Sequence, residues 1–316
     1  MVLDRFVGVL SRLKMPMFHL QLTCLGELRV TLHGQPLTAF QTDKMRAMLV
    51  YLALERQEHQ RRDLTRFLWP GYSEESARNS FRQYLHQLRH LLGDDKSASG
   101  DAPWLLVTRQ TVQLNPAAAL AVDVTRFRDL LAESAVHPHA QLCTCQPCLA
   151  RLWAAVDLYQ GDFLAGFTGV DSDSFEEWRR ITQEQLHIQM LDALTQLASA
   201  AESAGDEEGA LRAAQRPLAL EPWLETAHRQ IMRILAQRGQ QAAALAQYQR
   251  CQRVLAEELG VTPDAETTAL YEQIQRGAFG SATKRQRDKE TGRRGAEKQM
   301  LPLSPPLLRS LSSPRP

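Results

Sequence analysis

The chain has few aromatic residues and no long apolar run. Only 7% of its 316 residues are aromatic, and no stretch approaches the roughly 18 consecutive apolar residues that a membrane-spanning helix needs. The run from Phe6 to Leu10 is too short for the apolar segment of a secretory signal. Because 44% of the residues are still hydrophobic, the chain has enough apolar material for about two globular domains. The sequence therefore predicts a folded cytoplasmic protein without a membrane partner.

Cysteine is scarce, and its number is odd. Three of the five cysteines, Cys143, Cys145 and Cys148, lie within one stretch of six residues. An odd number of cysteines, most of them in one short segment, argues against a disulfide framework. We expect reduced thiols, with Cys24 and Cys251 as small residues of the core.

The sequence contains none of the short motifs that mark common enzymes. It has no G-x-S-x-G, no H-E-x-x-H and no phosphate-binding G-x-x-x-x-G-K-[ST]. Five scattered histidines lack a paired acid and nucleophile at useful spacing; they are His19, His33, His59, His187 and His228. We therefore predict that the chain is not an enzyme, has no cofactor and does not switch by binding ATP.

The net charge of the chain is +1, but its sign changes along the sequence. Residues 1–122 carry 15 Lys and Arg against 11 Asp and Glu, residues 123–276 carry 13 against 22, and residues 277–316 carry 9 against 3. The basic ends are expected to meet polyanions, whereas the acidic middle would repel DNA and favours a protein contact or dimerisation surface. A solvated acidic face explains the same charge.

The first third of the chain passes from strand-like to helix-like periodicity. Residues 20–32 form two short apolar runs on either side of a glycine, which predicts a strand pair. Helices are predicted over 42–55, 61–68 and 76–92, because apolar residues recur at helical spacing between capping and breaking residues.

The helix predicted over 76–92 has three faces. At 100° per residue its apolar side chains fall within about 40° of one line, which predicts a narrow buried stripe. These side chains are Ala77, Phe81, Leu85, Leu88 and Leu92. The flank of the stripe carries Arg78, Arg82 and Arg89, and the outward face carries Asn79, Gln83, His86 and His90. Guanidinium groups pair with phosphate or guanine and amides with adenine, so this helix suits a DNA major groove. An ordinary solvated face is the alternative.

The elements around this helix favour DNA binding. Two β-rich runs, 104–108 and 111–114, follow it on either side of Arg109 and predict a hairpin with a basic tip. Two helices, a longer basic helix and a hairpin are the elements of a winged helix-turn-helix, in which the hairpin is the wing. The candidate DNA-binding residues are therefore Arg78, Asn79, Arg82, Gln83, His86 and Arg89 on the helix and Arg109 in the wing.

From Val124 onward the pattern is almost wholly helical. Gly205 and Gly239 stand 34 residues apart, and an alanine-rich helix follows each of them. Because this spacing is the tetratricopeptide period, it favours helix-turn-helix repeats. The predicted fold is mainly α: an N-terminal winged helix-turn-helix (α+β) followed by an all-α tetratricopeptide-like domain. The segment after Arg276 is rich in Lys, Arg, Ser and Pro, which predicts a disordered basic tail.

A cluster of metal-ligand residues interrupts the helical pattern. His137, His139, Cys143, Cys145 and Cys148 lie within 12 residues, and imidazole and thiolate are the ligands that zinc prefers. The C-x-C-x2-C spacing has no second distant pair, as a standard zinc ribbon or finger would have. We expect a polar loop without metal, with a zinc site and a redox-sensing site as the alternatives.

Several segments resemble the streptomycete antibiotic regulatory protein (SARP) family. The OmpR-type DNA-binding domain of that family is similar to LTCLGELRVTLHGQPL, DKMRAMLVYLAL, DLTRFLWPGYSEESARNSFRQYLHQLRHLLG and LLVTRQTVQLNP. The bacterial transcriptional activator domain that follows it is similar to LYQGDFLAGF, LEPWLETAHRQIMRIL and AAALAQYQRCQRVLAEELGVTPDAETTALYEQI.

The resemblance implies a division of the chain and a function. The implied parts are an N-terminal extension (1–17), an OmpR-type winged helix (18–116), a bacterial transcriptional activator domain (123–276) and a basic tail (277–316). The implied function is transcriptional activation, in which a homodimer binds direct repeats in double-stranded DNA and contacts RNA polymerase. Larger members of the family continue into a nucleotide-binding domain, and the basic tail stands where that domain would begin. The alternative function is a tetratricopeptide-like protein-interaction scaffold without specific DNA binding.

Overall fold

The computed structural model describes residues 20–94, 103–138 and 140–277. The predicted N-terminal extension, nearly all of the predicted basic tail and His139 lie outside these residues. Contacts divide the chain into two compact units, Met1–Ala213 and Ala214–Pro316. Among the described residues, no helix combines the length and the apolar character needed to cross a bilayer.

The first unit opens with a four-stranded sheet. Its strands are β1 (Leu20–Thr23), β2 (Arg29–Leu32), β3 (Gln35–Pro36) and β7 (Leu120–Val122), in the order β3-β2-β1-β7. The predicted strand pair is confirmed, because β1 and β2 are antiparallel and Leu20 faces Leu32. Gly26 joins them with φ +125, a conformation that residues with a side chain rarely adopt. The last strand returns from the end of the hairpin and pairs parallel to β1.

Three helices and a second small sheet form the winged helix. The helices are α1 (Asp43–Glu55), α2 (Arg61–Leu68) and α3 (Glu74–Leu92). The sheet consists of β4 (His59–Gln60), β5 (Leu105–Val107) and β6 (Thr111–Leu114), in the order β4-β6-β5. Thr42 caps α1 by accepting a hydrogen bond from the backbone N–H of Met45. Trp69 ends α2, and its ring lies in the core against Phe81.

The rest of the first unit is helical. It contains α4 (Asp123–Val136), α5 (Gln146–Leu158), α6 (Asp173–Ala204) and most of α7 (Glu207–Gln215), whose last two residues lie beyond the boundary of the unit. The start of α4 is tied to the end of β1, because the Asp123 carboxylate accepts hydrogen bonds from the backbone N–H groups of Cys24 and Leu25, each at 2.8 Å. The segment after α5 also meets this edge, where the N–H of Leu164 donates to the carbonyl of Cys24 at 2.8 Å.

A cluster of aromatic side chains joins the winged helix to α6. Its members are Tyr51, His59, Phe67, Phe163, Phe175 and Trp178. The indole N–H of Trp178 donates to Glu55 at 2.9 Å, so the polar edge of this half-buried ring has a partner. The hydroxyl of Ser172 donates to the carbonyl of Phe67 at 2.5 Å. These partly buried contacts join α1 and α2 to α6.

The second unit contains, in its described part up to residue 277, the helices α8 (Glu225–Gln237), α9 (Gln241–Glu258) and α10 (Ala265–Gln275). Their core is made by Met232, Ala236, Ala244, Leu270 and Ile274. The α8–α9 pair has the helix-turn-helix form of a repeat, and the turn passes through Gly239 at φ +74. The fold class is therefore as predicted, mainly α with a winged helix before a repeat-like helical part.

Candidate nucleic-acid interface

The ends of α3 are defined by local hydrogen bonds. The Ser73 hydroxyl accepts a hydrogen bond from the backbone N–H of Ser76 at 3.3 Å, and Glu74 and Glu75 occupy the first turn, where the helix dipole favours negative charge. The helix therefore begins at Glu74, directly after the Ser73 cap, and contains the whole 76–92 span analysed in the sequence. At its other end Gly93 adopts φ +83 and donates to the carbonyl of His90, which is a typical glycine C-cap.

The apolar stripe of α3 is confirmed. Its buried residues are Ala77, Phe81, Leu85, Leu88 and Leu92, the same five that the periodicity predicted. The opposite side of the helix is open to solvent, and its exposed residues are Arg78, Asn79, Arg82, Gln83, His86 and His90. One face of α3 thus packs in the core. The other face exposes five of the six helix residues that were predicted to bind DNA.

Arg78 and Arg89 differ from the other basic residues of α3. Arg78 pairs with Glu74 one turn away at 3.3 Å, and both side chains are well exposed. An exposed pair of this kind is worth at most about 1 kcal/mol, so a phosphate can replace it. Arg89 is half-buried in the last turn, and its Nε is buried without a hydrogen-bond partner among the described residues.

Arg61, at the start of α2, joins this basic surface and was missed from the sequence. Its guanidinium lies over the ring of Phe81, 5.5 Å from the centroid, and donates to the carbonyl of Thr108 in the hairpin at 3.2 Å. Partial burial lowers the pKa of Arg61, and the positive charge of Arg82 lowers it further. Two guanidinium groups therefore lie near one another, an arrangement that an anion would stabilise.

The hairpin is held against α2 with Arg109 at its tip. The hydroxyl of Thr108 accepts hydrogen bonds from the backbone N–H groups of Gln110 and Thr111, which closes the turn around Arg109. The N–H of Arg61 donates to the carbonyl of Gln110 at 2.8 Å, and β4 pairs with β6 at the base of the hairpin. Arg109 itself is exposed. The tip is thus a fixed, basic projection beside the N-terminus of α2.

This surface can read double-stranded DNA in two ways. The exposed amides and the imidazole of Asn79, Gln83 and His86 can contact base edges, while Arg82 can pair with a guanine or a phosphate. Arg109, on a separate element, is placed to contact the backbone, as the wing of a winged helix does.

The metal-ligand cluster is divided by the structure. His137, Cys145 and Cys148 come together, with their ligand atoms within 4.8 Å of one another. Cys143 is not part of this group, and its thiol donates to the side-chain carbonyl of Gln141 at 3.7 Å. His139 lies outside the described residues. Cys24 and Cys251 are fully buried, as expected for small residues of the core.

This chain is similar to proteins that are described as regulators of transcription. Residues 122–275 match the family described as the bacterial transcriptional activator domain. The regulatory protein AfsR of Streptomyces griseus is 29% identical over 264 residues, which are 81% of this chain and 24% of AfsR. The transcriptional regulatory protein MoaR1 of Mycobacterium tuberculosis is 29% identical over 261 residues, which are 81% of this chain and 79% of MoaR1. The chain therefore spans about a quarter of the length of AfsR but most of that of MoaR1.

A solved structure shares the fold. EmbR of Mycobacterium tuberculosis, in complex with a low affinity phosphopeptide, aligns with a TM-score of 0.59 at 24% identity, over 86% of this chain and 70% of EmbR. The order of sheet, winged helix and helical part is thus found in a known protein. The domain match and the two regulators show that this chain is similar to transcriptional regulators and, over residues 122–275, to the bacterial transcriptional activator domain.

Proposed function

We propose that the chain binds specific double-stranded DNA through α3 and activates transcription by contacting RNA polymerase. In this proposal residues 18–116 are the OmpR-type DNA-binding domain and residues 123–276 are the activator domain. The observation that carries it is the split of α3 into a buried apolar stripe and an exposed face of arginine, amide and histidine side chains. Arg61, which is close enough to Arg82 for their charges to interact and is hydrogen-bonded to the hairpin, adds a second basic element, and the hairpin takes the place of the wing.

The resemblance to the SARP family implies binding to direct repeats, and the pitch of B-DNA sets the spacing that such sites need. One α3 reads only a few base pairs, so a single copy gives limited specificity. Two copies in the same orientation reach the same side of the duplex when their sites are spaced by about one helical turn, roughly 10 base pairs. We expect a homodimer to form on such a site.

Selection from a random duplex library tests specific binding even when the target promoter has not been identified. The full chain is incubated with the library at low and at moderate salt, and bound DNA is sequenced after several rounds. The proposal predicts an enriched direct repeat that persists at the higher salt, because base contacts depend less on salt than phosphate contacts do. Salt-sensitive binding without any enriched sequence would contradict it and would favour the scaffold function.

We propose that the surface that contacts RNA polymerase lies on α6. Glu177, Ile181, Glu184 and Ile188 follow one another at helical spacing and are all exposed. Ile181 is 43% exposed and Ile188 is 50% exposed. A stripe that alternates isoleucine with glutamate would be repelled by DNA but suits a protein partner. The aromatic cluster holds α6 against the winged helix, so this stripe has a fixed position relative to α3.

In vitro transcription tests the contact between this stripe and RNA polymerase independently of DNA binding. We expect Ile188→Ser to reduce activation by purified RNA polymerase several-fold while affinity for the selected DNA stays within about twofold, because Ile188 is exposed and distant in sequence from α3. Ser174→Ala, at an exposed position near the start of the same helix, is the control. Full activation by the Ile188 variant would remove this stripe from the mechanism.

A further inference from the structure

The ends of α4 and α5 bring three soft ligands together outside the DNA-binding surface. His137 follows the last residue of α4, Cys145 is the N-cap of α5 and Cys148 lies in its first turn. Within residues 20–94, 103–138 and 140–277, these are the one group of three or more His, Cys, Asp and Glu side chains whose geometry could hold a metal ion. The acidic residues at the start of α6, which are more numerous, do not converge in this way.

We propose that His137, Cys145 and Cys148 bind a zinc ion that joins α4 to α5. The separation of the ligand atoms fits that ion. Zinc bonds of about 2.3 Å to sulfur and 2.0–2.1 Å to nitrogen place two ligands of a tetrahedral site roughly 3.5 to 3.8 Å apart. The Cys145 Sγ and the His137 Nδ1 are 3.5 Å apart, and all three ligand atoms lie within 4.8 Å.

The surroundings of the three side chains are those of a built site. Cys148 is fully buried and Cys145 is 8% exposed, so both thiols are held in place by the packing of α4 against α5. The sulfur of Cys148 also lies 3.7 Å from the carbonyl of Ser134 in α4. Pro147 fixes the backbone at the first turn of α5, and the N-terminal end of a helix favours the negative charge of metal-bound thiolates.

The ligand types select zinc among the common metal ions. Two thiolates with one imidazole exclude magnesium and calcium, which need oxygen ligands. Zinc accepts this set in a tetrahedral site, in which water or a further donor takes the fourth position. All three ligands lie at the end of α4 or the start of α5, so the role of the ion is to stabilise this pair of helices.

Metal content and a cobalt spectrum test the proposal on the full chain. The protein is purified after growth with zinc, dialysed and analysed for metal, and the ion is then exchanged for Co²⁺. We expect about one zinc per chain after dialysis and a cobalt spectrum with visible bands of tetrahedral geometry and thiolate charge-transfer bands. His137→Ala and Cys145→Ser should each weaken zinc binding by at least about tenfold.

Cys143→Ser is the matched control, because it changes a thiol of the same loop that lies outside the group of three. It should keep the zinc and the charge-transfer bands of the wild type. Circular dichroism of each variant separates loss of metal from loss of fold. Wild-type protein that keeps no zinc on dialysis, a spectrum without thiolate bands, or a Cys145–Cys148 disulfide in the purified chain would overturn the proposal.

Discussion

The arginines of α3 and the arginine of α8 show two opposite uses of one side chain. Arg78 and Arg82 are exposed, and Arg78 has only a weak pair within its own helix. Arg229 in α8 is 8% exposed and pairs with Asp264 at 2.6 Å and with Glu266 at 3.1 Å. Its guanidinium also donates to the hydroxyl of Thr267 at 2.9 Å.

The exposed arginines of α3 are free to contact DNA, whereas the buried Arg229 stabilises the fold. A guanidinium that is buried and already paired with two carboxylates is not available to a phosphate or a base. Burial raises the pKa of Asp264, but hydrogen bonds from Thr267 and Arg229 outweigh it, and the pKa lies below its usual value. The carboxylate therefore stays charged beside Arg229 at neutral pH. Basic residues can therefore contribute to the proposed DNA-binding surface only where they are exposed, whatever their number in the chain.

The largest effect is expected for Arg229→Met. This change leaves Asp264 and Thr267 without their shared partner and should lower the free energy of unfolding by roughly 2 to 4 kcal/mol. Denaturation of the full chain by guanidinium, followed by circular dichroism, measures the loss. Hydrogen exchange should locate it in α8 and α10.

Arg253→Met is the control, because this side chain is exposed on α9. We expect it to change the free energy of unfolding by no more than about 0.5 kcal/mol. Equal stability of the two variants would show that the buried ion pair is not needed for the second unit.

A smaller effect, on binding rather than stability, is expected for Arg82→Ala. Loss of a guanidinium that pairs with guanine should weaken binding to the selected DNA by about 1 to 3 kcal/mol and relax the preference at one position. Fluorescence anisotropy with matched and single-mismatch duplexes measures both. Arg180→Ala on α6, which removes another exposed arginine, should leave the affinity unchanged; a similar loss in both variants would contradict the role of α3.

The smallest effect is expected for Arg109→Ala. A contact from the wing to a phosphate adds affinity for every sequence, so its loss should reduce the slope of log affinity against log salt by about 1. Anisotropy over a series of salt concentrations gives the slope for the selected and for a scrambled duplex. An altered sequence preference with an unchanged slope would instead place Arg109 on a base edge.

Features within one helix could be predicted from the sequence, and those between elements could not. The buried stripe of α3 follows from helical spacing alone, since Phe81, Leu85 and Leu88 share a face wherever the helix lies. Arg61 belongs to another helix, and only the folded chain places it over Phe81 and beside the hairpin. The basic residues at the start of the 61–68 helix were the one sequence feature that could have indicated a role for Arg61.

The metal-ligand cluster also depends on contacts between elements, which the sequence does not predict. Cys145 and Cys148 are three residues apart, and their position at the start of a helix could be predicted. His137 reaches them only because α4 and α5 pack side by side with their connection folded back, which local spacing does not encode. The contact of Trp178 with Glu55 spans 123 residues and had no signal in the sequence for the same reason.

Arginine footprinting tests most directly whether α3 and the wing bind DNA. The full chain is treated briefly with an arginine-specific dicarbonyl reagent, with and without the selected duplex, and the modified residues are identified by mass spectrometry. The account predicts that DNA protects Arg82 and Arg109, that Arg180 reacts equally in both samples and that Arg229 reacts in neither. Full reactivity of Arg82 and Arg109 in the presence of bound DNA would contradict it.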